Sequence, residues 1–363
     1  VPAPIMLSAN ETTADVPLDV RSNIDMNILQ MAFNRYPDPL ANDLRDAIAA
    51  WHGVKRENVM CGNGGDELLF NLALAWGGEA GALLTMPPTF SVYAANARLT
   101  NTKIVEVPRL ADFSVDEEAV IARASQGDIG MVVLTNPNNP TGTLSSRSFS
   151  ERLLDATDAL VLLDEAYIEF AYEHASSLPL LADHENLVIL RTFSKAYRLA
   201  GVRMGYVLAN TRVITELMKV RQPYSVDAVS QAIALEVVHN REDFGAGIEF
   251  AKAERDRMAA RLNALPGVTV YPSAANFVLV QFDRDAGQLW QQLYDQGILV
   301  RDFSTNPLTL NCLRISVGST AENEQVVKAL RKIFLPEADE DRPIGCGAFN
   351  ITIDDSLLKG SNG

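Results

Sequence analysis

Cysteine, histidine and clustered positive charge are all scarce in this chain of 363 residues, and each scarcity closes off a class of function. Cys61, Cys312 and Cys346 are too few and too scattered for a disulfide framework, and no Cys-x-x-Cys pair is present. His52, His174, His184 and His239 show no ligand spacing, so no metal is expected. Lysine and arginine number 31 against 46 aspartates and glutamates, a formal charge of −15, with no basic block to neutralise a phosphate backbone or an anionic bilayer. Nucleic acid and membrane are therefore not expected partners. No apolar run reaches the length of a membrane span, and Val1 to Asn10 has no charged segment followed by an apolar one. The sequence reads as that of a soluble cytoplasmic protein that is not exported. It also has no internal repeat.

What is present is the composition of a globular protein, 47% hydrophobic and 21% charged. The length suggests one large domain with a smaller companion, or two similar domains. From Asn58 to Leu208, near-continuous Val, Leu and Ile runs at Leu83–Met86, Met131–Thr135, Leu160–Leu163 and Leu187–Leu190 alternate with helical stretches such as Asp66–Trp76 and Phe149–Thr157. Runs of that kind are strands buried on both faces, so the fold class is α/β with a mostly parallel mixed sheet. After Gln222-Pro223-Tyr224 a long helical region begins. Strand-like pieces at Val268–Tyr271, Phe277–Gln281, Leu299–Arg301 and Leu313–Val317 then alternate with helices at Gly287–Gln296 and Ala321–Ile333, as in a smaller α+β domain. The expected division is a segment 1–30 associated with the small domain, a large domain 31–248, a small domain 249–335 and a tail 336–363 holding the apolar stretch Phe349–Ile353.

The strongest local signal is Thr192-Phe193-Ser194-Lys195, directly after a buried strand, with Arg203 eight residues beyond the lysine. A lysine there can form a Schiff base with an aldehyde, while a hydroxyl and a guanidinium bind a phosphate on the same ligand. An isolated Ser-Lys pair would more simply be a surface loop. Other strand ends supply what such a ligand needs. Leu162-Leu163-Asp164-Glu165-Ala166-Tyr167 puts a carboxylate where open α/β sheets bind ligands. That carboxylate suits a pyridinium N–H, and Tyr167 can donate to the ring's phenolate oxygen; alone, Asp164 could equally cap a helix. Asn136-Pro137-Asn138-Asn139-Pro140-Thr141-Gly142 is a fixed turn in which Asn139 can bind the same oxygen. Gly62-Asn63-Gly64-Gly65-Asp66-Glu67 opens a helix whose free N–H groups form a phosphate cup.

Lysine, ring-nitrogen acid, ring-oxygen donors and phosphate cup are the needs of one cofactor. Together with RYPDP, PPTF, NPNNPTG, DEAYIEF, RTFSKAYRLAGVRMGY, GILVRDF and CLRISVG, they make the sequence resemble the fold-type I pyridoxal-phosphate (PLP) aminotransferases, in wording most closely the histidinol-phosphate aminotransferases, over roughly Leu7 to Phe334. The resemblance implies that Lys195 carries pyridoxal 5'-phosphate and shuttles the α-proton. It implies that Asp164 pairs with the ring nitrogen, that Asn139 and Tyr167 bind the ring oxygen, and that Gly65, Asp66, Ser194 and Arg203 hold the phosphate. Phe90 would stack on the ring, though core packing alone would also explain it. Tyr36 would reach the cofactor phosphate of a neighbouring subunit, making the enzyme a homodimer with shared sites. Arg314 would bind a carboxylate and Arg301 the substrate's own phosphate, while Asn10 sits in the N-terminal signature that lines the substrate site.

Departures from the family pattern lie on the substrate side. The family's N-terminal Pro-Tyr element would lie ahead of Val1, Thr12 replaces the signature's proline, and Pro-Tyr-Asn-Val-Asn reads Pro223-Tyr224-Ser225-Val226-Asp227, which is expected to add a negative charge near the pocket. The expected reaction is transamination between histidinol phosphate and 2-oxoglutarate. The alternatives are an aromatic aminotransferase, a threonine-phosphate decarboxylase, and a binding module that uses the same fold without turnover.

Overall fold

The computed structural model describes residues 3–79 and 81–335, so Cys346, the expected tail 336–363 and its stretch Phe349–Ile353 lie outside the described residues. Twelve strands are found among the described residues: β1 (Ile5–Leu7), β2 (Val59–Asn63), β3 (Ala82–Thr85), β4 (Ile104–Glu106), β5 (Ile129–Thr135), β6 (Leu160–Asp164), β7 (Leu187–Thr192), β8 (Met204–Ala209), β9 (Val268–Val270), β10 (Phe277–Phe282), β11 (Ile298–Asp302) and β12 (Cys312–Ser316). They form a seven-stranded sheet ordered β2-β8-β7-β6-β5-β3-β4 and a five-stranded sheet ordered β1-β11-β12-β10-β9.

In the large sheet β3 to β7 run parallel, and only β8 runs against its neighbours. Every residue of β6 and β7 is buried, because helices cover both faces. Alternation then sends Leu163 and Ile189 into one core and Leu162 and Leu190 into the other. Each such side chain contributes on the order of 2 kcal/mol by leaving water. The run Met204–Ala209 is not read as a strand from sequence, because its first residues belong to the glycine-rich stretch around Arg203. A smaller correction concerns the helix expected at Phe149–Thr157, which spans Arg147–Asp155. Ser146 sets its start by accepting the Phe149 N–H at 3.1 Å.

The small sheet is antiparallel except for β1, which pairs parallel with β11. The segment 1–30 therefore divides between the two cores. Its strand β1 completes the small sheet, while Val20 and Ile24 of the helix Leu18–Leu29 enter the core beneath the large one. The expected change at residue 248 falls inside a continuous helix, Gly245–Asn263.

Candidate active site

Three parallel strands end side by side, and their register puts Thr135 of β5 opposite Asp164 of β6 and Asp164 opposite Leu190 of β7. Beside them, Gly62 of β2 pairs with Gly205 of β8. A Cβ at Gly205 would lie 3.0 Å from the Gly64 carbonyl carbon and the Gly65 nitrogen, so the missing side chain lets the start of the helix Gly64–Trp76 descend onto the strand end. Gly64 itself has φ +74°, and a Cβ there would sit 2.7 Å from an Arg203 guanidinium nitrogen. Glycine is thus required twice at one helix terminus, which presents free N–H groups beside an arginine.

A cavity of about 430 Å³ opens at these ends and is closed by the N-terminal segment and the small sheet; Gly65, Asp66, Phe90, Asn139, Asp164, Tyr167, Ser194, Lys195, Arg203, Asn10, Arg301 and Arg314 all line it. Tyr36 does not. It is 81% exposed and stacks on Tyr224 at 4.5 Å. A larger cleft of about 700 Å³ lies at the opposite ends of the same strands, but its Arg212–Glu185 pair is solvent-exposed and no buried charge converges there. Size is the weaker guide here; buried ionisable groups are the stronger one.

At the cavity floor Asp164 is 4% exposed and, among the described residues, receives only neutral donors: the Tyr93 hydroxyl at 2.6 Å on Oδ2 and the Ala166 N–H at 3.1 Å on Oδ1. Burial pushes its carboxyl up to about 6, against those two hydrogen bonds. The Lys195 ammonium donates to the Ala9 carbonyl at 3.0 Å and stands 5.9 Å from the Tyr167 ring centre. Tyr167 accepts from Asn10 Nδ2 at 3.0 Å, so its own phenol proton stays available to a ligand. Asn10 is fixed in turn by Ser316, whose hydroxyl accepts its N–H at 2.9 Å. Arg203 reaches Asp66 at 3.0 Å and Ser194 at 3.5 Å, drawing the lysine loop and the helix start together.

Arg314, 7% exposed, donates to Asn139 Oδ1 and to the Ser8 carbonyl at 2.7 Å, but its buried Nε has no partner. Among the described residues no carboxylate pairs with it, and burial lowers the guanidinium to about 10. Arg301 lies opposite it in register on β11, exposed and likewise without a carboxylate partner among the described residues.

Sequence reasoning missed Tyr93, Thr135, Phe303 and Asn306, which also line the cavity. A signal for Tyr93 existed: it follows Phe90 by three residues across the turn that opens the helix Val92–Leu99, and the rings meet edge-on at 5.7 Å. The negative charge expected near the pocket is not there. Asp227 caps the helix Ala228–His239, taking the Ser230 N–H at 2.9 Å and its hydroxyl at 2.7 Å, and does not line the cavity.

The family description "Aminotransferase class I and II" matches residues 2–330. The chain belongs to the class I and II aminotransferases. It is 38% identical over 339 residues to a histidinol-phosphate aminotransferase of Desulfitobacterium hafniense, covering 92% of this chain and 93% of that protein. Among solved structures, histidinol-phosphate aminotransferase from Sinorhizobium meliloti in complex with pyridoxal-5'-phosphate is similar at a TM-score of 0.84 and 28% identity, covering 93% of this aminotransferase and 92% of that chain. L-threonine-O-3-phosphate decarboxylase from Porphyromonas gingivalis is similar at 0.81 and 26%, covering 91% and 99% respectively. The fold is that of the type I PLP aminotransferases.

Proposed function

We propose that this aminotransferase uses PLP to move the amino group of histidinol phosphate to 2-oxoglutarate, a step of histidine biosynthesis in the cytoplasm. The observation that carries the choice of substrates is the pair Arg301 and Arg314. They lie in register on adjacent strands, neither with a carboxylate partner among the described residues, and both face one cavity. Two anion seats suit a donor that carries a phosphate and an acceptor that carries carboxylates.

The donor set fits the cofactor. A buried carboxylate with only neutral partners suits a cationic ring nitrogen, and a helix start beside Arg203 and Ser194 suits a phosphate. PLP when bound supplies an aldehyde for amines and a protonated ring that draws electrons from the α-carbon. Lys195 would hold it through Nζ, and the same nitrogen, freed when the donor's amine takes its place, would carry the proton from the donor's α-carbon to the cofactor's former aldehyde carbon. Asp164 keeps the ring proton in place. Tyr167 donates its hydroxyl proton, and Asn139 its amide, to the ring oxygen. Backbone groups of Gly65 and Asp66, with Ser194 and Arg203, hold the phosphate, and Phe90 covers the ring. Arg314 takes the carboxylate of the 2-oxo acid and Arg301 the phosphate of the donor, while Asn10 steadies Tyr167.

The same reading makes the enzyme a homodimer. Leu18, Leu29, Phe33 and Tyr36 are 83%, 79%, 72% and 81% exposed on the chain alone, an apolar group that a second copy would cover and that would carry Tyr36 to the neighbouring site. Mixing inactive Lys195→Ala and Tyr36→Phe chains is expected to restore activity beyond either parent, because some mixed dimers contain one site with neither lesion. A fully active monomer would refute the arrangement.

The substrate test measures donor use, 2-oxoglutarate consumption and carbon dioxide release together. Histidinol phosphate is expected to be the preferred donor, with one 2-oxoglutarate consumed per turnover and no gas released. Preference for phenylalanine or tyrosine would make the enzyme an aromatic aminotransferase, and carbon dioxide without 2-oxoglutarate consumption would make it a decarboxylase. No turnover at all would leave a binding module.

A further inference from the structure

Tyr93, on the helix Val92–Leu99, is 3% exposed, and its hydroxyl lies between Asp164 Oδ2 at 2.6 Å and Thr135 Oγ1 at 2.8 Å. Thr135 in turn meets Thr89 Oγ1 at 3.1 Å, and Thr89 donates to Asn138 Oδ1 at 2.8 Å. The far end of this chain is fixed, because the Asn138 amide donates to the Pro88 carbonyl at 3.0 Å and to Thr141 Oγ1 at 2.8 Å, leaving only its oxygen to face Thr89. Each hydroxyl has one proton to give. An ionised Asp164 offers no proton, so Tyr93 must donate to it, and the Tyr93 oxygen is then satisfied by the Thr135 proton. Thr89 has its own acceptor in Asn138. The two hydroxyls nearest the carboxylate thus both donate toward it, Thr135 to Tyr93 and Tyr93 to Asp164, while Thr89 donates the other way, to Asn138.

We propose that Tyr93 is a positioning residue that keeps Asp164 ionised and its Oδ2 in place, with Thr135 as the second link that orients the phenol proton. This rests on the reading of Asp164 as the partner of the cofactor's ring nitrogen. The need for such a device is set by the surroundings. Tyr93, Asp66, Tyr167 and the chain neighbour Glu165 are the titratable groups around the carboxylate, and Lys195, Arg203, Arg301 and Arg314 line the same cavity without forming a salt bridge to it. Burial drives Asp164 toward the neutral acid, Asp66 and Glu165 push the same way, and the Tyr93 hydrogen bond opposes them. A neutral Asp164 would not hold a ring proton.

The test uses the full chain with carboxyl-labelled aspartate, titrated by carbon NMR before and after loading with PLP, the Asp164 signal being assigned by its loss in Asp164→Asn. Tyr93→Phe keeps the ring packed on Phe90 and removes only the hydroxyl that contacts Asp164 and Thr135. It is expected to move the Asp164 midpoint of the cofactor-free chain up by about one pH unit. In the loaded enzyme the acid limb of the kcat profile should move in the same direction, with the KM for the donor changed less than about twofold. Thr135→Val should produce a smaller move of the same sign, and Thr135→Ser should restore the wild-type midpoint. An unmoved or lowered midpoint in Tyr93→Phe overturns the proposal. If that variant does not fold, an unmoved midpoint in Thr135→Val does so instead. The carboxyl titration needs no substrate, so an error in the choice of histidinol phosphate would leave it unchanged and is seen separately in the donor assay.

Discussion

Asp164 and Glu165 are consecutive and almost equally hidden, at 4% and 0% exposure, yet the two faces they point to are finished in opposite ways. On the back of the strand ends Glu165 Oε2 takes Arg191 Nε at 2.9 Å and the Ser176 hydroxyl at 2.8 Å, while Oε1 takes the Ser177 N–H at 2.7 Å. Arg191 continues to Glu169 at 3.1 Å. Burial works against the Arg191 charge, and the two glutamates overcome it, so the guanidinium is held more firmly protonated than usual. On the cavity face, among the described residues, Asp164 has no cation and Arg314 has no anion. The charge-paired network, in which only Glu169 Oε2 lacks a hydrogen-bond partner among the described residues, ties β6 to β7, whereas the unpaired charges on the cavity face cost stability until ligands bring their partners. Position along the chain separates the two carboxylates by one residue; strand alternation separates their tasks.

The largest expected effect breaks the finished side. Arg191→Met strands Glu165 and Glu169 in the interior and should cost about 3–5 kcal/mol of stability, read as a lower urea midpoint. Adding Glu165→Gln to that variant should recover part of the loss, because one buried charge is removed. A change below about 1 kcal/mol in Arg191→Met would mean that the network contributes little and that the contrast between the faces is not one of stability.

On the unfinished side the sign reverses. Asp164→Asn should lower turnover roughly 10²–10³-fold or more, since an amide cannot hold the ring proton. The cofactor-free protein should nevertheless gain stability. The folded carboxyl binds its proton near pH 6 against 3.8 for the free group, so the folded state holds more protons than the unfolded one between those values. Wild-type stability therefore falls as pH rises through that window, and the whole cost is present above about 6. Asparagine has no such charge. The gain should reach at most about 3 kcal/mol at pH 8 and vanish near pH 3.5. Equal stabilities of the two cofactor-free chains at pH 8 would show that burial of this charge carries no such penalty.

Much of this site was legible because its parts are continuous words in the chain. Ser194-Lys195, Asp164 to Tyr167, the Asn139 turn and Gly64-Gly65 each follow or open an element whose hydrophobic run is plain. What escaped depends on which strands lie side by side. Tyr93 matters only because β5 and β6 are neighbours, which brings Thr135 and Asp164 under one helix. Asp227 looked like a change in pocket charge because the tyrosine before it matches a family pattern, but local hydrogen bonding makes it a cap. The split of the N-terminal segment between two cores was likewise invisible, since β1 finds its partner β11 nearly 300 residues away.

The smallest expected effect separates the two arginines. Arg314 is buried, with an unpartnered Nε, and its loss would disturb Asn139 and the Ser8 carbonyl as well as any substrate. Arg301 is exposed at the rim and has no internal bond among the described residues to lose, so its replacement tests recognition alone. In Arg301→Ala the kcat/KM for histidinol phosphate should fall at least about tenfold, equivalent to about 1.4 kcal/mol, while phenylalanine or another unphosphorylated donor is used as before. The loss should shrink as salt is raised, because an exposed charge pair is screened within about 10 Å at 0.1 M ionic strength. If both donors suffer equally, Arg301 supports the fold of the strand rather than the phosphate. The donor's anion would then have to be held by Arg314, the arginine assigned above to the carboxylate of the 2-oxo acid.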